Sequence, residues 1–148
     1  MRKLVLLAVL VLIALASLPA ALAQSATANV EVKADKTVVI SLSPTSYTII
    51  VDMRQVPPGG SKEFFSGHGK LTVATNYPIK VISDAEVPRE LSGRFWLYVD
   101  GKRYKPDGWA DSVKMGVKAY EVWFSVVADW YLPAGEYRAA VTFTVVAS

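Results

Sequence analysis

The sequence predicts an all-β protein: a single antiparallel β-sandwich, immunoglobulin-like or jelly-roll, that follows a signal peptide. Three observations support this fold class. Apolar and polar residues alternate with a period of two in several runs, and β-branched and aromatic residues fill those runs. Turn sequences rich in Pro, Gly, Asn and Asp separate the runs at roughly even intervals. A 3.6-residue period is not sustained anywhere, and we expect no more than one short helical turn at each of residues 86–91 and 111–118.

Residues 1–23 have the pattern of a secretion signal peptide. A basic start is followed by an apolar run over residues 4–16, a proline and the small-residue site Ala21-Leu22-Ala23. We expect cleavage after Ala23, a location outside the cell or on its surface, and no membrane association of residues 24–148. A retained membrane anchor is the alternative, because about 20 apolar residues can span a bilayer.

Residues 24–148 have the composition of one ordinary globular domain. Basic and acidic residues nearly balance in this part of the chain, because Arg2 and Lys3 of the leader supply most of the net positive charge. That balance argues against a basic protein that binds nucleic acid. The chain contains no cysteine, so we expect the core and the backbone hydrogen bonds, rather than disulfides, to stabilise the exported domain.

The predicted strands lie between recognisable turns. Asp100-Gly101 is the clearest turn, because this dipeptide favours the type I′ geometry of a two-residue hairpin between Phe95–Val99 and Lys102–Tyr104. We expect eight to ten strands in all, and the other alternating runs are residues 39–42, 47–53, 71–75, 79–83, 120–126 and 137–145. The side chains expected to face the core are those of Ile49, Val51, Val73, Val122, Phe124, Val126, Tyr137, Val141, Phe143 and Val145.

Residue types with catalytic or metal-binding chemistry are scarce. The sequence has one histidine, His68, which lies between two glycines and which we interpret as a solvated, flexible residue at a hairpin tip. One histidine and no cysteine do not make a zinc site of usual composition or a Cys–His or Ser–His pair. Residues 107–111 hold two aspartates but lack the alternating oxygen ligands of a calcium loop. We therefore expect no catalytic, metal or cofactor-binding residues and no enzyme activity.

Aromatic side chains in or beside loops suggest one kind of binding. Trp109, Trp130 and Tyr131 fall in such positions, and exposed loop tryptophans on a β-sandwich can stack against sugar rings. The alternative is that these rings cover the ends of the sandwich.

The segment just after the leader alternates with unusual regularity. Its small apolar residues are Ala26, Ala28, Val30, Val32 and Ala34, and a polar residue follows each of the five. A strand of this kind can enter a groove in a neighbouring subunit, where the main-chain hydrogen bonds give strength and the alternate side chains set the register. Residues 26–34 are therefore a candidate donor strand, and the alternative is that they form the first strand of their own sandwich.

The end of the chain carries a resemblance to known proteins. Residues 133–145 read P-A-G-x-Y-x-x-x-V-x-F-T-V, which is similar to the ends of spore-coat-U-type and related pilin-like sandwiches. With its leader and cysteine-free β-rich body, the chain resembles TasA-like matrix fibre subunits and archaeal bundling pilins. The resemblance implies a subunit that polymerises by donor strands and brings no catalytic residues with it.

We therefore expect an extracellular structural subunit that assembles with identical subunits into pilus-like or matrix filaments. Neighbouring filaments and surface glycans are possible further partners, and nucleic acid is not. The alternative is a secreted or cell-surface β-sandwich that binds carbohydrate or mediates adhesion through Trp109, Trp130 and Tyr131.

Overall fold

The computed structural model describes residues 25–148, so the predicted leader and its cleavage site lie outside the described residues. The chain divides into two units, Met1–Asp35 and Lys36–Ser148, and only residues 25–35 of the first are described. The second unit is all-β: two antiparallel sheets pack as a sandwich, as the sequence predicts. Nothing helical among residues 25–148 has the length and hydropathy needed to span a lipid bilayer.

Nine strands and two short 3-10 turns make up the described secondary structure. The 3-10 turns are Met53–Gln55 and Arg89–Leu91, the second of which confirms the predicted helical turn. The strands are β1 (Val38–Ser43), β2 (Ser61–Phe65), β3 (Gly69–Thr75), β4 (Ile79–Glu86), β5 (Phe95–Val99), β6 (Lys102–Tyr104), β7 (Ala110–Val113), β8 (Gly116–Asp129) and β9 (Ala140–Ala147).

The larger sheet is organised around β8, its longest strand. On one side β8 pairs with β5, which continues into β6 through the predicted hairpin. Asp100 and Gly101 have φ values of 49° and 84°, as a type I′ turn requires. On the other side β3 pairs with the first half of β8 and β2 with the second half, and β1 pairs with β3.

The link between β2 and β3 differs from the prediction. We expected His68 at a hairpin tip, but β2 and β3 do not pair with each other, because both run antiparallel to β8. Ser66 holds the link to the sheet: its backbone N–H donates to the Phe124 carbonyl, and its hydroxyl accepts from the Phe124 N–H, both at 2.9 Å. The link therefore resembles a bulge in one long strand.

The smaller sheet has the order β7-β4-β9, and β9 is one of its edges. β9 pairs with β4 along its whole length, from Glu86 opposite Ala140 to Ile79 opposite Ala147. The predicted helical turn at residues 111–118 is wrong, because these residues belong to β7, to β8 and to the tight turn between them.

The core lies between the two sheets and is unevenly covered. Val73, Val122, Phe124 and Val126 are buried, which confirms four of the predicted core positions. The other six are only half-buried, and all of them except Tyr137 pack against the core: Ile49, Val51, Tyr137, Val141, Phe143 and Val145. These six come from two regions of sequence, residues 49–51 and 137–145, so the uncovered part of the core is localised.

Two predicted strands account for that exposure. Residues 47–53 form no strand, and the last strand begins at Ala140 rather than at Tyr137. Both regions nevertheless keep the predicted alternation, with Tyr47, Ile49, Val51 and Tyr137 turned inward and their neighbours Thr48, Ile50 and Arg138 exposed. The side-chain pattern of a strand is therefore present in both places without a neighbouring strand to pair with.

Candidate functional site

Residues 25–37, which precede β1, form no strand, and all of them are exposed. Within the candidate donor strand, Val30 is 55% exposed and Val32 is 74% exposed. The Lys33 ammonium lies 3.4 Å from the Glu31 carboxylate, so these two polar side chains share one side of the segment. Residues 26–34 make no backbone hydrogen bond with any described residue. The segment that carries these apolar side chains (Ala26, Ala28, Val30, Val32 and Ala34) is thus paired with no strand within residues 25–148.

The sandwich has an apolar groove of about 1310 Å³, which we call the open groove. Its floor consists of Phe95, Phe124 and Val126 from the inner face of the larger sheet, together with Leu91. The Phe95 and Phe124 rings stack with their centroids 5.7 Å apart. Its two walls are residues 45–51 and residues 132–141.

Residues 45–51 form the first wall. Tyr47 packs edge-on against the Phe124 ring, with 4.9 Å between the centroids. Ile49 packs against the main core and also against a smaller cluster of buried residues, Val56, Phe64 and Ala128. These side chains hold the segment against the sandwich, yet its main chain makes no backbone hydrogen bond with any described residue. Packing rather than a ladder therefore positions this wall.

Residues 132–141 form the second wall and lead into β9. The Tyr137 hydroxyl donates to the Pro133 carbonyl, which closes the loop on itself. Residues 136–139 belong to no ladder, and β9 beyond them pairs only with β4. The side of β9 away from β4 is therefore unpaired in the described chain.

The two walls provide backbone groups with which an added strand could pair. Each presents a length of main chain, residues 45–51 and 136–139, that makes no backbone hydrogen bond with any described residue, and an apolar floor lies between them. An unpaired strand edge is a template for an added strand. A strand in this groove could form backbone hydrogen bonds to both walls while its alternate side chains cover the half-buried core residues.

Tyr47 also has an unusual polar environment at this site. Its hydroxyl is buried and has no hydrogen-bond partner among the described residues, and burial raises its pKa. Gly69 makes room for this hydroxyl, because a Cβ at that position would lie only 2.0 Å from the oxygen.

The three aromatic residues predicted to contact a ligand do not form one surface. Trp109 is only 4% exposed and packs between Tyr120 and Phe143, so it belongs to the core. Trp130 and Tyr131 are 56% and 88% exposed, and Trp130 lines the rim of the open groove. The Trp130 indole N–H donates to the Val56 carbonyl at 3.2 Å, which fixes the ring beside the groove.

The outer face of the larger sheet carries an aromatic row that the sequence analysis missed. The Trp123 ring is stacked between His68 and Tyr98, at centroid distances of 4.1 and 5.3 Å. His68 is exposed, as we expected, and besides stacking on Trp123 it lies 2.6 Å from a Glu121 carboxylate oxygen. Both faces of the Trp123 ring are covered, which leaves no open ring face there for a sugar to stack on.

One polar cluster lies at the start of β8. The Lys118 ammonium and the Tyr120 hydroxyl both donate to the same Asp111 carboxylate oxygen at 2.5 Å. Burial acts to raise the pKa of Asp111, but these two hydrogen bonds outweigh it and hold the pKa below its ordinary value. Burial and the adjacent carboxylate raise the pKa of Tyr120. The cluster is satisfied within itself and joins β7 to β8.

The alternation of residues 26–34 indicates the candidate donor strand, whereas no pattern in the sequence indicates the open groove. The two alternating runs that form the walls were recognised, yet alternation alone does not show which strand lacks a partner. No group of three or more His, Asp or Glu side chains within residues 25–148 could hold a metal ion. No model of a known protein family matches the sequence, and no curated protein sequence does.

Proposed function

We propose that this protein is an extracellular structural subunit that assembles with copies of itself into filaments by donor-strand complementation. One observation carries the proposal: the chain has both an unpaired segment with one apolar face and an apolar groove between two unpaired lengths of main chain. The first, residues 26–34, matches what the second lacks.

The energetics favour such an exchange. Burial of an exposed Val side chain contributes about 1.5–3 kcal/mol, and residues 26–34 offer Val30 and Val32 for burial. The inserted strand would also cover Ile49, Val141 and the other half-buried residues of the groove. Main-chain hydrogen bonds to two walls fix the strand in place, and its small side chains need no deep pockets.

Deletion of residues 24–35 tests the proposal. We expect the shortened protein to fold, because β1 to β9 lie outside the deletion, but to remain monomeric where the chain beginning at Gln24 forms filaments. A synthetic peptide of residues 26–34 should bind the shortened protein and raise its melting temperature. Size-exclusion chromatography, negative-stain microscopy and thermal unfolding measure these outcomes.

A peptide of the same composition in scrambled order is the matched control, because it keeps the charge and loses the alternation. Equal stabilisation by both peptides would contradict a specific groove. A monomeric wild type at high concentration, together with a shortened protein that fails to fold, would favour the alternative in which residues 26–34 complete their own sandwich.

A second function, carbohydrate binding, is favoured by the exposure of Trp130 and Tyr131. Two adjacent exposed rings can offer faces to a sugar chain. The double substitution Trp130→Ala with Tyr131→Ala should then abolish retention on immobilised polysaccharides. Unchanged retention, or none in the wild type, would count against this function.

A further inference from the structure

We propose that the open groove accepts residues 26–34 of a second copy of this chain, antiparallel to residues 135–143 and in one register. In this register Lys33 lies opposite Glu136, and Glu31 lies opposite Arg138. The inference rests on the proposed function and adds to it the direction and the register of the inserted strand.

The two faces of the strand restrict the register first. Tyr137 and Val141 are half-buried and line the groove, whereas Glu136, Arg138 and Ala140 are exposed; Ala139, on the same side as Tyr137 and Val141 in an extended chain, is also exposed in the empty groove. The candidate donor strand has its apolar residues at even-numbered positions. A register is therefore acceptable only when even-numbered donor residues stand opposite odd-numbered residues of the wall, because a one-residue slip exchanges the two faces.

Every strand pair among the described residues is antiparallel, and an antiparallel ladder is slightly more stable per residue than a parallel one, so we take that direction for the added strand. The charges then distinguish the antiparallel registers that remain. The donor's outward face reads Glu31, Lys33, Asp35, and the wall's outward face reads Glu136 and Arg138. In the proposed register both pairs, Lys33 with Glu136 and Glu31 with Arg138, have opposite charges.

Neighbouring registers lose this match. A shift by two residues in one direction places Glu31 opposite Glu136. The same shift in the other direction places Lys33 opposite Arg138 and Asp35 opposite Glu136. Like charges directly opposite each other destabilise a strand pair, so the proposed register is favoured over both neighbours.

The inward side chains also fit this alignment. Val30 stands opposite Ala139, Ala34 opposite Gly135 and Ala28 opposite the larger Val141, which limits crowding over the floor of the groove. Val32 stands opposite Tyr137, and a β-branched residue opposite an aromatic one is a stabilising cross-strand pair.

The position of β1 shows why the occupant is a second copy. β1 begins beside the C-terminal end of β9: the Thr37 N–H donates to Asn76 at 2.8 Å, and the Ser148 hydroxyl donates to the Pro78 carbonyl two residues further on. In the antiparallel register Ala34 lies past the opposite end of β9, beyond Ala140.

The chain is too short to make that connection within one molecule. The seven steps of β9 from Ala147 to Ala140 span about 23 Å. The four residues from Ala34 to Val38 can span at most about 14 Å. A chain therefore cannot place its own Ala34 there while its own β1 remains paired, and another copy must supply the strand.

Disulfide trapping tests the register, and because the sequence has no native cysteine, only the introduced cysteines can form disulfides. Thr27→Cys chains are mixed with Thr142→Cys chains, and Ala140→Cys and Thr144→Cys chains serve as matched controls with the same exposure. The proposed register places residue 27 opposite residue 142. Directly opposite Cα atoms lie about 4.5–5.5 Å apart, within disulfide range, and positions two residues away lie about 7–8 Å apart.

We expect the disulfide between positions 27 and 142 to form at least about ten times faster than either control, as measured by peptide mapping of the assembled filaments. Filaments in which residue 27 reacts fastest with position 140 or 144, or with none of the three, would overturn the register and leave the proposed function intact. An internal disulfide in a monomeric Thr27→Cys/Thr142→Cys chain would overturn the exchange between copies. Absence of filaments from the wild type, with no binding of the residue 26–34 peptide, would overturn the proposed function and this inference with it.

Discussion

At the scale of single residues, Tyr47 is the side chain whose polar atom is least well satisfied. Its buried hydroxyl lacks a hydrogen-bond partner among residues 25–148. A buried unsatisfied polar group costs about 1–3 kcal/mol. We expect Tyr47→Phe to raise the free energy of unfolding by about 1 kcal/mol, because the ring keeps its contact with Phe124.

Gly69→Ala provides a check on the same contact. The added methyl would meet the Tyr47 hydroxyl oxygen at 2.0 Å, so the substitution should destabilise the protein in the wild-type background. In the Tyr47→Phe background the loss should be smaller. Urea unfolding of the four proteins measures the coupling, and equal losses in both backgrounds would show that the hydroxyl is placed elsewhere in solution.

Asp111 gives the protein a predictable response to acid. The pKa of its carboxyl is held below the ordinary value of 3.8 in the folded state, so the charged form stabilises the fold. That contribution is complete above about pH 5 and is lost as the pH falls through the folded-state pKa. The melting temperatures of the wild type and Asp111→Asn should therefore differ most near pH 6, and the difference should shrink as the pH falls below 3.8 and through the folded-state pKa. A gap that stays constant with pH would contradict the charge-based explanation.

At the scale of elements, β9 is where the sequence-based register can be tested directly. Phe143 is half-buried and packs against Trp109, whereas Thr144 is exposed. A Phe→Ala substitution at a fully buried position lowers the free energy of unfolding by about 3–5 kcal/mol. We therefore expect a loss of about 2 kcal/mol for Phe143→Ala, which is half-buried, and of less than about 0.5 kcal/mol for Thr144→Ala. Similar losses in urea unfolding would mean that the strand faces the other way.

The candidate donor strand makes a complementary prediction. Val30→Asp should prevent filament formation while leaving the fold of the subunit unchanged, because residue 30 is exposed in the single chain and its carboxylate would be buried unpaired in the groove. Thr27→Asp, on the polar face, should assemble like the wild type. Sedimentation of the two variants at equal concentration separates these outcomes, and assembly of Val30→Asp would contradict insertion of that face.

The elements also show what the sequence could and could not predict. Residues 95–104 were predicted to their ends, because a hairpin with an Asp-Gly turn is a local structure. The arrangement of β2 and β3 along β8 was missed, because it depends on a partner more than 50 residues away, as in the contact of Ser66 with Phe124. Trp109 looked like a loop residue for the same reason: its neighbours Tyr120 and Phe143 come from two different sheets.

At the scale of the whole molecule, the all-β fold was predictable and the incompleteness of the sandwich was not. Alternation predicts which side chains turn inward, and residues 47–51 and 141–145 keep that alternation in the structure. The alternation does not show how many strands are available to pair with one another. The open groove is therefore a property of the assembled topology, which becomes visible only when every ladder has been assigned.

The donor segment and the open groove are different surfaces, and this difference gives any resulting polymer a polarity. A contact between unlike surfaces, repeated from copy to copy, makes an open chain or a closed ring, and reciprocal exchange between two copies is the smallest such ring. In an open chain, the terminal subunit at one end has an empty groove and that at the other end a free strand. A peptide of residues 26–34 would then cap only the first end, so small amounts should stop growth in one direction while the opposite end continues to elongate.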